Sequence, residues 1–197
     1  MKVKDETASI WTLPNKLSII RILFIPLIII LIATQKERLL LASCLLFIIA
    51  GITDGLDGFM ARKMSMTTKL GLYLDPIADK LLVSSVLITL TYYRLIPLWV
   101  TITLVGREFL INGLRSFYAT EGTTIYPSRS GKLKTTLQII GISCILFTSS
   151  LPQIGSLREI GTIISMTIIY IALFFSIFSA VNYIAAIFKP SNTLNSH

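Results

Sequence analysis

Four carboxylates, Asp54, Asp57, Asp75 and Asp79, fall within 26 consecutive residues of a chain that otherwise reads as lipid-soluble helix. A charge at membrane depth costs roughly 3 kcal/mol or more unless it is paired, so acids placed there carry a functional reading. Asp54 and Asp57 are three apart and Asp75 and Asp79 four apart, which on helices puts each pair on one face. A short polar connector then folds the two faces together. Four converging carboxylates cannot all stay ionised without compensation, and oxygen donors favour hard divalent cations such as Mg²⁺, Mn²⁺ or Ca²⁺. Two bound ions are the natural arrangement, and such a pair suits displacement at phosphorus. Gly58 and Ala61 continue the Asp54 face with almost no side chain, leaving a groove for another helix or a flat ligand. Arg62, two turns past Asp54, presents a fork of donors suited to phosphate. Gly71 serves either ligand approach or plain helix packing.

The elements that must position these residues follow from composition. With 53% hydrophobic and only 14% charged residues in 197, and a mean hydropathy of +0.76, an ordinary soluble domain is excluded. The expected fold class is an all-α integral membrane protein, a single membrane domain over residues 1–189 with a flexible tail at 190–197. A window of about 20 residues, enough to cross roughly 30 Å of hydrocarbon, predicts six transmembrane helices. They run from Leu17 to Thr34, Arg38 to Met60, Leu70 to Tyr92, Pro97 to Tyr118, Leu133 to Leu151 and Ile160 to Phe188. Spans two, three and four keep polar ends because a helix facing a protein-lined cavity need not be apolar there. Before them, Ile10, Trp11 and Leu13 mixed with Lys4, Asp5 and Glu6 read either as a short interfacial helix or as a frayed terminus. The first apolar run follows a polar segment and lacks a small-residue cleavage site, so no cleavable signal peptide is expected. Cys44 and Cys144 lie in apolar runs and behave as small hydrophobes rather than as a disulfide framework.

The net charge of +8 does not imply nucleic acid, because the basic residues flank apolar spans; anionic lipid or phosphate is the expected partner. With both termini in the cytoplasm, that side carries twelve basic residues, including Lys16, Arg21, Arg62, Lys69, Arg115, Lys132 and Lys134. The opposite side carries four, Lys36, Arg38, Arg94 and Arg158, and Lys80 and Arg107 lie inside spans. The positive-inside rule therefore puts both termini and all four carboxylates near the cytoplasmic face.

The spacing D-x2-D-G-x2-A-R-x8-G-x3-D-x3-D, from Asp54 through Asp57, Gly58, Ala61, Arg62, Gly71 and Asp75 to Asp79, resembles the signature of the CDP-alcohol phosphatidyltransferases without departure. The resemblance implies that Asp54, Asp57, Asp75 and Asp79 hold divalent metal around the diphosphate of CDP-diacylglycerol. It also implies that Asp79 serves as general base for the acceptor hydroxyl. A bacterial inner-membrane location and a homodimer are implied in the same way.

The choice of acceptor is read outside the motif. Leu13-Pro14-Asn15-Lys16 to Arg21, Leu74 to Lys80, Arg107-Glu108-Phe109, Gly113-Leu114-Arg115 and Lys132-Leu133-Lys134-Thr135 are similar to the bacterial members of that family that use glycerol 3-phosphate. Ile111-Asn112 departs from the small or hydroxylated residues expected there. An acceptor with close to two negative charges needs guanidinium and ammonium groups. Arg107 and Arg115, eight apart on one face of span four, and Lys132 and Lys134, opening span five, are the candidates, with Glu108 a potential partner for another helix. Arg115 and Lys134 serve equally well as positive-inside anchors. Asn15 and Arg21 are candidates for the cytidine or diphosphate end, with helix capping and snorkelling as their alternative roles. Sister transferases that use inositol phosphate, serine or phosphatidylglycerol remain alternatives within the family. A cation transporter is the alternative from another class, though a transporter has no need for the Gly58, Ala61, Arg62 and Gly71 pattern.

Overall fold

The computed structural model describes residues 13–64, 69–120, 129–152 and 156–187, with helical backbone alone at 13–16, 54–64, 69–76, 119–120 and 129–132. The expected interfacial helix before Leu13 and the expected tail at 190–197 lie outside the described residues. Within them the chain is all-helical: α1 (Leu13–Ala33), α2 (Glu37–Met64), α3 (Lys69–Tyr92), α4 (Leu98–Thr120), α5 (Arg129–Ser149) and α6 (Ser156–Ile187). The apolar runs expected from sequence each fall on one helix. The polar starts of α5 and α6 lengthen those helices, since backbone hydrogen bonding continues where hydropathy stops.

Two turns are tight enough to need left-handed backbone. Gln35 after α1 has φ of 53° and Arg94 after α3 has φ of 59°. Each ends its helix by turning amides back: Gln35 N–H reaches the Ile32 carbonyl at 3.1 Å, and Leu95 N–H reaches the Leu90 carbonyl at 2.9 Å. The carbonyls satisfied this way offset a left-handed cost of about 1 kcal/mol for a residue with a Cβ.

Contacts between helices fix their directions. Tyr93 donates to the Ala33 carbonyl at 3.2 Å, joining the ends of α3 and α1. Thr91 and Thr101 share a hydrogen bond of 2.6 Å, while Lys80 lies 3.5 Å from Glu108, so α3 and α4 are antiparallel. Trp99 stacks on Tyr170 with centroids 6.0 Å apart and Arg107 reaches the Ser176 carbonyl, so α4 and α6 are parallel. Cys44 donates to the Ser143 carbonyl at 3.3 Å and Gly51 faces Ile139, making α2 and α5 antiparallel. The result is strict alternation, α1, α3 and α5 one way and α2, α4 and α6 the other.

The closest pairing, α5 on α6, depends on missing side chains. A Cβ on Gly141 would stand 2.7 Å from Ile169 Cδ1, and one on Gly161 would stand 2.9 Å from Thr148. Small residues let the two backbones approach, the device membrane helices use where burial from water gives no drive. The core between the helices holds Ile28, Phe47, Leu87, Leu90, Ile142 and Ile169, all fully buried. Outside, Leu23, Ile30, Ile102, Ile163 and Phe174 are exposed, the surface a lipid-embedded protein needs. Among the described residues, α6 alone is long and apolar enough to cross a membrane by length and composition; Leu17–Ala33 and Leu133–Ser149 are shorter apolar helices.

Candidate active site

Both halves of the carboxylate motif lie on unbroken helix. Asp54, Asp57, Gly58, Ala61 and Arg62 belong to the last turns of α2, and Gly71, Asp75 and Asp79 to the first turns of α3. Residues 65–68 join them, a connector that keeps the two ends within roughly 18 Å of each other. The side chains from Asp54 to Asp75 lie outside the described residues, as do those of Asn15 and Lys132. Asp79 is the described member of the motif. Its carboxylate is one-quarter exposed, and its partner among the described residues is the Lys80 ammonium at 3.7 Å. That leaves oxygen lone pairs for another ligand.

Asp79 opens onto a cleft between α3, α4 and α5, lined also by Lys80, Ser84, Glu108, Thr135 and Gln138. Helical spacing explains the lining: Lys80 and Ser84 are four apart on α3, and Lys134 and Gln138 four apart on α5, so each pair shares a face. Glu108 of α4 is the hub. One carboxylate oxygen accepts from Arg107 Nη1 at 2.9 Å and from the Lys134 ammonium, while the other lies 3.5 Å from Lys80. Arg107 is itself tied to α6, its Nε donating to the Ser176 carbonyl at 2.9 Å. Among the described residues, three cations gather around the partly buried Glu108 carboxylate, with Asp79 as the second acid. Cations gathered this closely in a helix-walled cleft can hold an anionic group.

The four expected phosphate ligands divide. Arg107 and Lys134, with side chains 8% and 9% exposed, meet at Glu108. Arg115 is not brought to that cluster; it is exposed, with its guanidinium 5.8 Å from the Tyr183 ring centroid on α6. Eight residues along a helix share a face but stand about 12 Å apart. Arg21 on α1 is 1% exposed, so it does not snorkel to solvent.

Lys80, Ser84, Thr135 and Gln138 have no role expected from the sequence. Lys80 had a signal, being a cation inside a span. Ser84 and Gln138 had only their spacing from Lys80 and Lys134.

A family model described as CDP-alcohol phosphatidyltransferase matches residues 11–188. The chain is 36% identical over 197 residues to a Bacillus subtilis (strain 168) protein named CDP-diacylglycerol–glycerol-3-phosphate 3-phosphatidyltransferase, covering 94% of this chain and 100% of that one. A Rickettsia typhi protein of the same name is 39% identical over 174 residues, 88% of this chain and 96% of that one. One from Haemophilus influenzae is 34% identical over 179 residues, 88% and 92% respectively. With nearly the whole chain matched, this protein belongs to the CDP-alcohol phosphatidyltransferase family.

Proposed function

We propose that this chain transfers the phosphatidyl group of CDP-diacylglycerol to glycerol 3-phosphate, forming phosphatidylglycerophosphate and releasing CMP. The observation that carries the acceptor is the cluster beside Asp79, where, among the described residues, Lys80, Arg107 and Lys134 gather around Glu108. Relatives that carry the same name along nearly their full length support it.

In this reading Arg107 and Lys134 receive the acceptor's phosphate, with Lys132 and Arg115 nearer the mouth. Asp79 takes the proton from the acceptor's 1-hydroxyl as its oxygen attacks the phosphatidyl phosphorus. The bond from that phosphorus to the CMP oxygen breaks, and CMP departs with the electron pair. Gly58, Ala61 and Gly71 leave room for the CDP-lipid, while Arg62, Asn15 and Arg21 face its cytidine and diphosphate. An all-carboxylate donor set, with Asp79 holding lone pairs open to the cleft, fits a hard divalent ion, Mg²⁺ or Mn²⁺. Asp54, Asp57, Asp75 and Asp79 would hold two such ions, which when bound supply charge stabilisation at the diphosphate.

We further propose six membrane spans in a bacterial inner membrane, with both termini and the cleft cytoplasmic, and a homodimeric assembly. Alternating helix directions and the basic bias of one side support the spans and their orientation. The decisive assay follows CMP release by purified protein in detergent with CDP-diacylglycerol and one acceptor at a time. Release is expected with glycerol 3-phosphate and lost on chelation. Release with inositol phosphate, serine or phosphatidylglycerol instead would replace the acceptor, and chelator-insensitive release would remove the metals.

A further inference from the structure

The cleft is layered. Its charged layer is Asp79, Lys80 and Glu108, with Lys134 bonded to Glu108; one helical turn on from Lys80 and Lys134, about 6 Å along α3 and α5, lie the neutral residues Ser84 and Gln138. Gln138 is 4% exposed, yet its side-chain amide has no hydrogen-bond partner among the described residues. The Ser84 hydroxyl also lines the cleft without one. An amide without a protein partner that lines a cleft is free to bond a ligand there.

We propose that Gln138 is a specificity-determining residue that reads the 2-hydroxyl of the acceptor, the hydroxyl that does not react; this rests on the glycerol 3-phosphate reading above. An amide offers both a donor and an acceptor. Phosphate only accepts and would leave the Gln138 carbonyl oxygen bare, whereas a hydroxyl returns one bond of each kind. The phosphate already has three cations one turn away. Glycerol 3-phosphate spans the two layers, with its phosphate at Lys134 and Arg107 and its 2-hydroxyl at Gln138 and Ser84.

The test pairs a residue with a substrate atom. Purified protein is assayed for CMP release with glycerol 3-phosphate and with 3-hydroxypropyl phosphate, which lacks only the 2-hydroxyl. Wild type is expected to favour glycerol 3-phosphate by about a hundredfold or more in kcat/KM, because a site built to bond a hydroxyl rejects the analogue without it. Gln138→Met should shrink that preference to less than about fivefold by losing rate on glycerol 3-phosphate alone. Equal losses on both substrates, or a wild type indifferent to the 2-hydroxyl, overturn the assignment of Gln138 and leave the acceptor reading standing. A wild type that releases CMP with neither substrate overturns the acceptor reading, and this assignment falls with it. Should Gln138→Met not fold, Gln138→Asn, which withdraws the amide by one methylene, is expected to narrow the preference in the same way, and an unchanged ratio overturns the proposal.

Discussion

The α3–α4 pair is pinned at two heights by two different chemistries. Near the turn that joins the helices, Thr91 donates to the Leu87 carbonyl at 2.9 Å and shares a hydrogen bond of 2.6 Å with Thr101. Toward the other end, Lys80 stands between Asp79 and Glu108 at 3.7 and 3.5 Å, in reach of both and tight to neither. The first contact is neutral, closed and self-sufficient. The second is charged, with Lys80 loosely held, and among the described residues its cations outnumber its acids. The hydroxyl pair uses its hydrogen bonds on the helices themselves, whereas the charged contact faces a cleft. A partly exposed charged cluster facing a cleft points to a ligand.

The contrast is open to breaking from either end. Asp79→Asn keeps the shape of the side chain and should lower CMP release by about a thousandfold or more, the upper range for loss of a positioned base. A folded variant with near-normal turnover would place the base elsewhere. Arg107→Ala should raise the KM for glycerol 3-phosphate by about tenfold to a hundredfold with a smaller effect on kcat, as expected for one lost charge-assisted contact. Glu108→Gln sharpens the test by its sign. It makes the cleft more positive, so a purely electrostatic role predicts a lower KM, whereas loss of the hub that aligns Arg107 and Lys134 predicts a rise of about fivefold to tenfold. The smallest effect belongs to the neutral contact. Thr91→Val should cost about 1 kcal/mol of stability by stranding the buried Thr101 hydroxyl, with turnover unchanged, and adding Thr101→Val should recover part of it. Thermal unfolding in detergent measures this, and a turnover loss matching that of Arg107→Ala would erase the distinction between the two heights.

Much of the architecture was legible in the sequence because each apolar run is long and bounded by polar turns. The observed helix ends differ where polar residues continue a helix: α5 starts at Arg129 rather than Leu133, and α2 runs on to Met64 past Met60. Arg107 and Lys134 were visible as cations near or inside spans, and Glu108, beside Arg107, as a partner for another helix, which Lys80 and Lys134 supply. Arg115 shows the limit of that method. Periodicity put Arg107 and Arg115 on one face, but the same eight residues put them about 12 Å apart along it, and that height separates Arg115 from the cluster. Gln138 and Ser84 were illegible for a related reason. Neutral polar residues are common in helices, and nothing in a single sequence says that α3 and α5 turn those two faces toward one cleft.

The bond from Arg107 to the Ser176 carbonyl reaches across 69 positions of chain, from α4 to α6. During translation, Arg107 leaves the ribosome long before the carbonyl that orients it has been made. The nascent protein therefore carries Arg107 unbraced until Ser176 of α6 has been made.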